Sequence, residues 1–166
     1  MNDKIIYSEN IRSNKTQALF ILLTILFLSL LFWHVFTKEY NAWRILFFSL
    51  FAVFLFYVIN YRTLIIRLTP MALTLTFGVF SWKIPIENIE ECQLDDDLPP
   101  LLKYGGAGIH FFLAHKRYRA SFNFLEYQRI VITLKEKKGP VRDISFTTRQ
   151  PEKLLSLIEN AGDTHG

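Results

Sequence analysis

The chain has 166 residues, 51% of them hydrophobic, and a net charge of +4. Five cations against three acids up to Tyr61, and fourteen against twelve beyond it, leave +2 on each part, too small an excess to argue for nucleic acid. Cys92 is the single cysteine, which excludes an intrachain disulfide and a cysteine-based metal cluster.

Residues 1–16 are short and polar, with Lys4, Arg12 and Lys15 against Asp3 and Glu9. They read as a loose cytoplasmic tail. The apolar run that follows is too long for a signal peptide and ends in Trp33-His34-Val35-Phe36 rather than in small residues, so the segment is expected to stay attached.

Residues 17–61 are two apolar runs around a polar turn, and read as helices over 17–37 and 42–61. Roughly 20 apolar residues in a helix cross a bilayer core of about 30 Å, and a helix satisfies its own backbone groups there. Trp33, Tyr40 and Trp43 gather at the turn, Tyr57 and Tyr61 at the other end, as interfacial aromatics do. Lys4, Arg12, Lys15, Arg62 and Arg67 flank the open end, against Lys38 and Arg44 at the turn. The excess of positive charge predicts a multi-pass protein of the cell's inner membrane with both termini in the cytoplasm. The hairpin interior lacks acids and lysines, and two such helices do not enclose a transport path.

Residues 62–162 are expected to form one domain, with 163–166 as a tail. The pattern turns to alternation: 64–68 is β-rich, 72–77 alternates with period two, Gly78 turns, and 80–84 returns. Residues 91–94 follow a Pro85-Ile86 break. Residues 95–108 are irregular, with Asp95-Asp96-Asp97, Pro99-Pro100 and a glycine loop of Tyr104, Gly105, Gly106, Ala107 and Gly108. Strands are expected at 109–113, 120–124, 129–135 and 141–147. A final helix is capped by Thr147 or Thr148, starts near Pro151, carries Leu154, Leu155, Ile158 and Ala161 on one face, and stops at Gly162. Six or seven strands and one helix argue for a mainly antiparallel sheet closed by that helix.

Few constellations suggest chemistry. Three consecutive acids do not converge on one cation, so Asp95–Asp97 reads as a solvated loop. The glycine loop lacks the Gly-Lys-Ser/Thr end of a phosphate loop and reads as a turn with positive φ that can shape a groove. His110 and His115 have no nucleophile motif beside them, and the acids before Cys92 raise its thiol pKa. No enzyme activity, metal or cofactor is expected. The basic tips are more informative: His115, Lys116, Arg117 and Arg119 form one cluster, and Lys135, Lys137, Lys138 and Arg142 another. Lys116, Arg117, Arg119, Lys137, Lys138 and Arg142 are the candidate contacts for a partner or for anionic lipid. Tyr104, Gly105, Gly106 and Gly108 are the candidate groove.

The run Lys83-Ile84-Pro85-Ile86-Glu87-Asn88-Ile89 after two short strands, a late strand pair with a basic glycine turn, and Thr147 to Leu154 opening a terminal helix resemble the bacterial PH-like (pleckstrin-homology-type) domain proteins. The segment from Tyr104 to Ile109 is similar to a Tyr-Gly-Gly-x-Gly-Ile stretch in some of them. The resemblance covers about residues 63–161 and implies a β-sandwich or partly open barrel capped by a C-terminal helix, behind one or two membrane helices. It implies a fold rather than an activity. The basic positions of phosphoinositide-binding relatives are not evident, since Arg67 and Lys83 stand alone in the first strand hairpin. The expected role is a membrane-anchored interaction or assembly module with an unidentified protein partner. Docking on anionic lipid is the alternative, and an accessory subunit of a membrane transporter or enzyme complex a third reading.

Overall fold

The computed structural model describes residues 4–37, 42–95, 108–114, 116–124 and 126–163. Among them, β1 is Tyr7–Arg12, α1 is Asn14–Phe36 and α2 is Ala42–Asn60. Then come β2 (Thr63–Leu68), β3 (Ala72–Phe77), β4 (Phe80–Pro85), a 3-10 turn (Ile86–Asn88) and β5 (Ile89–Leu94). After the second irregular stretch follow β6 (Gly108–Ala114), β7 (Arg117–Asn123), β8 (Gln128–Lys138), β9 (Val141–Thr148) and a terminal helix, α3 (Pro151–Asp163).

Both apolar runs are helices long and apolar enough to cross a membrane. Polar side chains inside them are satisfied locally: the Thr24 hydroxyl donates to Phe20 O at 2.7 Å and that of Ser29 to Ile25 O at 2.9 Å. The helices pack on each other through rings, with Phe27 stacked on Phe54 at 5.3 Å. Their outer surfaces are bare. Leu22, Phe36, Ile45 and Ile59 are 66%, 79%, 73% and 68% exposed, which no helix in the core of a soluble protein tolerates.

The expected loose tail is instead structured. Tyr7–Arg12 pairs antiparallel with β2 in full register, from Tyr7 opposite Leu68 to Arg12 opposite Thr63. Tyr7 and Ile11 are buried in the core. Ser13 then caps α1, its hydroxyl accepting from Thr16 N at 3.0 Å, so the helix starts at Asn14 rather than at Gln17. The strand was hard to see because its partner lies some fifty residues on, beyond both helices.

The first sheet has the order β1-β2-β3-β4 and is antiparallel throughout. The second has the order β5-β8-β9-β7-β6, antiparallel except for the parallel pair β7 and β9. The expected mainly antiparallel arrangement holds, with that pair as the parallel pairing among the described strands. Residues from both sheets (Leu64, Ile66, Leu75 and Phe77; Phe122, Ile130, Ile132 and Phe146) share one core with Leu154, Ile158 and Ala161 of α3. The expected apolar face of α3 is the face it buries. Its cap position is Gln150, whose carbonyl accepts the first helical bond from Leu154 N, while Thr147 accepts from Phe124 N and Thr148 accepts from Gln150 N and donates to Glu9.

The hairpin is welded to this sandwich. Phe20 of α1 and Tyr57 and Tyr61 of α2 form a ring cluster, and Tyr61 meets Phe77 edge-on at 5.1 Å. Gly78, at φ +56, lies so close to α2 that a Cβ would sit 2.4 Å from Asn60 O. On the other flank Tyr127 donates to Arg12 O at 2.9 Å and Glu126 accepts from Lys15 N at 3.2 Å.

Candidate functional site

The parallel pairing of β7 and β9 sets Tyr118 opposite Val141 and so brings the β6–β7 and β8–β9 turns side by side. The two basic clusters, about twenty residues apart in sequence, become the walls of one polar cavity. Lys116, Arg117, Tyr118, Lys137, Pro140 and Arg142 line about 280 Å³. Lys116 sits at φ +64, a left-handed conformation that costs a residue with a Cβ on the order of 1 kcal/mol or more. Gly139 takes φ +64 in the neighbouring turn, where glycine pays no such penalty. Arg142 is braced by Glu90, Nη2 to Oε2 at 2.8 Å, and Arg117 lies 4.0 Å from Asp143. Four cations thus line one small cavity, two of them beside acids.

Two of the six predicted contacts do not belong to it. Lys138 turns away, its Nζ 5.2 Å over the Trp82 ring and donating to Lys83 O at 3.3 Å. Arg119 was expected at a solvated tip but is 5% exposed. A bulge between Tyr118 and Arg119 accompanies its placement among other charges. Its Nη1 donates to Asp95 Oδ1 at 2.8 Å and its Nη2 lies 3.5 Å from Asp143 Oδ2; Arg129 Nε lies 3.8 Å from Asp95 Oδ2. Asp95, read as the start of a solvated acidic loop, is therefore a buried ion-pair partner; Asp96 and Asp97 lie outside the described residues. This network opens on a second polar cavity of about 300 Å³, which Arg117 shares with the basic one. The missed signal was a charged residue set inside each of three apolar strands, Arg119, Arg129 and Asp143. Buried charges of that kind require partners.

Tyr104, Gly105, Gly106 and His115 lie outside the described residues. Gly108 opens β6 at φ +98, where a Cβ would press on the Tyr61 ring at 3.2 Å, so its lack of a side chain serves the junction with α2. Beside it Tyr61, Phe80, Ser81, Trp82, Ile109, Phe111 and Phe122 line an apolar cavity of about 250 Å³. His110 stands opposite Ser121 in the β6–β7 ladder. Cys92 is held as a neutral thiol: burial, then Glu159 and Glu91, push its pKa up to about 12. A thiolate nucleophile is disfavoured there. Among the described residues no three His, Cys, Asp or Glu side chains group as metal ligands.

The basic cavity and the hairpin lie at opposite ends of β6 and β7. Gly108 touches Tyr61, and Phe124, just past β7, packs on Phe77 at 5.0 Å; the Lys116 turn is at the other end of the ladder. At about 3.3 Å per residue, β7 separates the two by about 20 Å. Compared with protein-family models, curated proteins and solved structures, the chain matches none.

Proposed function

We propose that the chain is an integral membrane protein whose two-helix hairpin holds a PH-like sandwich at the cytoplasmic face of the cell membrane. The sandwich acts there as a binding module without catalytic activity. Support for the hairpin reading is the length of both helices and the bare apolar surface they present. Support for the PH-like reading is two sheets around one core with a C-terminal helix in it. The cytoplasmic placement rests on the Lys and Arg that flank the open end of the hairpin.

The observation that carries the binding role is the basic cavity of Lys116, Arg117, Lys137 and Arg142. It takes an anionic group, a carboxylate or phosphate, presented by a protein partner. Its place about 20 Å along β7 from the hairpin junction favours a partner over the lipid of the same leaflet. The hairpin adds local concentration at the membrane and a fixed orientation.

The test is crosslinking of the full-length protein in its own membranes, wild type against the combined Lys116→Glu, Arg117→Glu and Lys137→Glu variant. Crosslinks from the β6–β7 and β8–β9 turns to a partner protein, lost on charge reversal while the protein stays in the membrane, support the reading. Crosslinks that survive reversal refute the cavity's role. Contact of these turns with anionic headgroups, lost as salt rises, transfers the site to lipid docking.

A further inference from the structure

The turn between β3 and β4 sits beside the last turn of α2 rather than above it. Phe80 packs its ring on Phe56 at 6.2 Å and on Tyr61 at 6.5 Å, and Gly78 lies against the Asn60 backbone. Phe56 is four residues, or about 6 Å, inside the end of the helix. Helix α2 has only 19 residues, about 28 Å, to cross an apolar layer of about 30 Å. It has no length to spare, so Phe56 lies within the layer's edge and Phe80 lies at the same depth.

The chemistry of the turn agrees with that depth. Val79 is 75% exposed, and Phe80 remains 44% exposed although one side of its ring meets Phe56 and Tyr61. From Leu68 to Trp82 there is no charged residue; the outward pair nearest the turn is Thr76 and Ser81, and charge first appears at the level of Thr74, between Arg67 and Lys83. Thr76 and Ser81 face each other with their hydroxyls 3.2 Å apart, so these groups satisfy one another. Arg62, exposed just past α2, stands where a headgroup phosphate would meet it.

From this we infer that the β3–β4 turn is a lipid-inserting wedge. Val79 and Phe80 enter the headgroup and upper acyl region of the leaflet that holds the hairpin, and fix the sandwich's height and tilt over the membrane. The inference rests on the reading of α1 and α2 as spanning helices. It makes the membrane contact of the sandwich apolar and local to this turn, leaving the basic cavity to face elsewhere.

The experiment uses the full-length protein with Cys92→Ser as background, reconstituted in vesicles of phosphatidylcholine and phosphatidylglycerol. Single cysteines at Val79, at Leu26 in mid-hairpin and at Met71 in the turn at the far end of β3 carry a polarity-sensitive fluorophore. Lipids bearing a nitroxide near the head or near the tail of the acyl chain report depth. The expected result is blue-shifted emission from position 79, quenched more by the near-head nitroxide, with position 26 quenched more by the near-tail one and position 71 by neither. A position 79 that behaves like 71 while 26 is quenched overturns the wedge and leaves the spanning helices standing. A position 26 untouched by either lipid overturns the spanning reading and the wedge with it. Ser81→Cys, also exposed and next to the turn, repeats the measurement should Val79→Cys misfold, and the same outcomes decide it.

Discussion

The hairpin junction and the outer face of the second sheet are held by opposite kinds of force. At the hairpin end, Phe20, Tyr57, Tyr61, Phe77 and Phe124 meet ring on ring. On the face of the second sheet turned away from the core, Asp95, Arg119, Arg129 and Asp143 are buried and paired. Apolar contacts are non-directional and fail gradually as volume is removed. A buried ion network is directional, and removing one member strands the charge of the others without water. The junction should therefore absorb conservative change, and the ion network should not.

The largest expected effect tests this difference directly. Arg119→Met removes the guanidinium that spans Asp95 and Asp143 and leaves both buried carboxylates without their nearest cation. Unfolding of the sandwich, followed by circular dichroism in detergent, should show a loss of roughly 3–5 kcal/mol, as for breaking a buried pair. Replacing Arg119, Asp95, Arg129 and Asp143 together by apolar residues of similar size should cost less than the single change. A single variant within 1 kcal/mol of wild type, at about the scale of a surface pair, would abolish the contrast.

What the sequence made legible follows the range of the interactions involved. Strand β3 was readable to its ends because alternation is a local signal, and Phe77 and Gly78 mark where it stops. The two basic clusters were readable as clusters for the same reason. Their convergence was not, because it depends on β7 pairing with β9 across the whole β8 hairpin. Arg119 was assigned to the solvated tip with Lys116 and Arg117 because sequence adjacency does not reveal a bulge. Strand β1 was missed because Glu9 and Asn10 read as polar tail, whereas Glu9 works as a clasp between distant segments.

That clasp provides the next effect. Glu9 accepts from Tyr7 Oη at 2.8 Å, Thr148 Oγ1 at 2.6 Å and Arg149 N at 3.0 Å, tying β1 to the start of α3. Glu9→Ala leaves these donors to partly exposed surroundings and should cost about 1–3 kcal/mol. Amide exchange should speed up along β1 before it does along β3. Equal protection in both strands would mean that β1 is held by its ladder with β2 alone.

At the hairpin end the matching change is smaller. Phe77→Leu removes one ring from the cluster with Tyr61 and Phe124, and its neighbours can close in; about 1–1.5 kcal/mol is expected. A loss as large as that of Arg119→Met would show that the aromatic junction is as unforgiving as the charged network.

The smallest effect concerns Cys92, on the edge strand β5, and answers to pH. Its folded pKa, pushed up to about 12 by burial and by Glu159 and Glu91, exceeds the ordinary thiol value of 9.0. The folded chain therefore holds this proton more tightly than the unfolded one. The thiol's contribution is fully present below pH 9 and is lost as pH rises from there towards 12. Near pH 9.5 the loss should be about 1 kcal/mol. Tyr7, also raised to about 12, changes stability in the same direction. The readout is thus the difference between wild type and Cys92→Ala, measured at neutral and at alkaline pH. Wild type should fall by more than the variant between the two, because only wild type exposes a thiol that ionises on unfolding. Parallel losses in the two proteins would mean that Cys92 meets water in the folded state, and that β5 packs against α3 less closely than the burial of this residue requires.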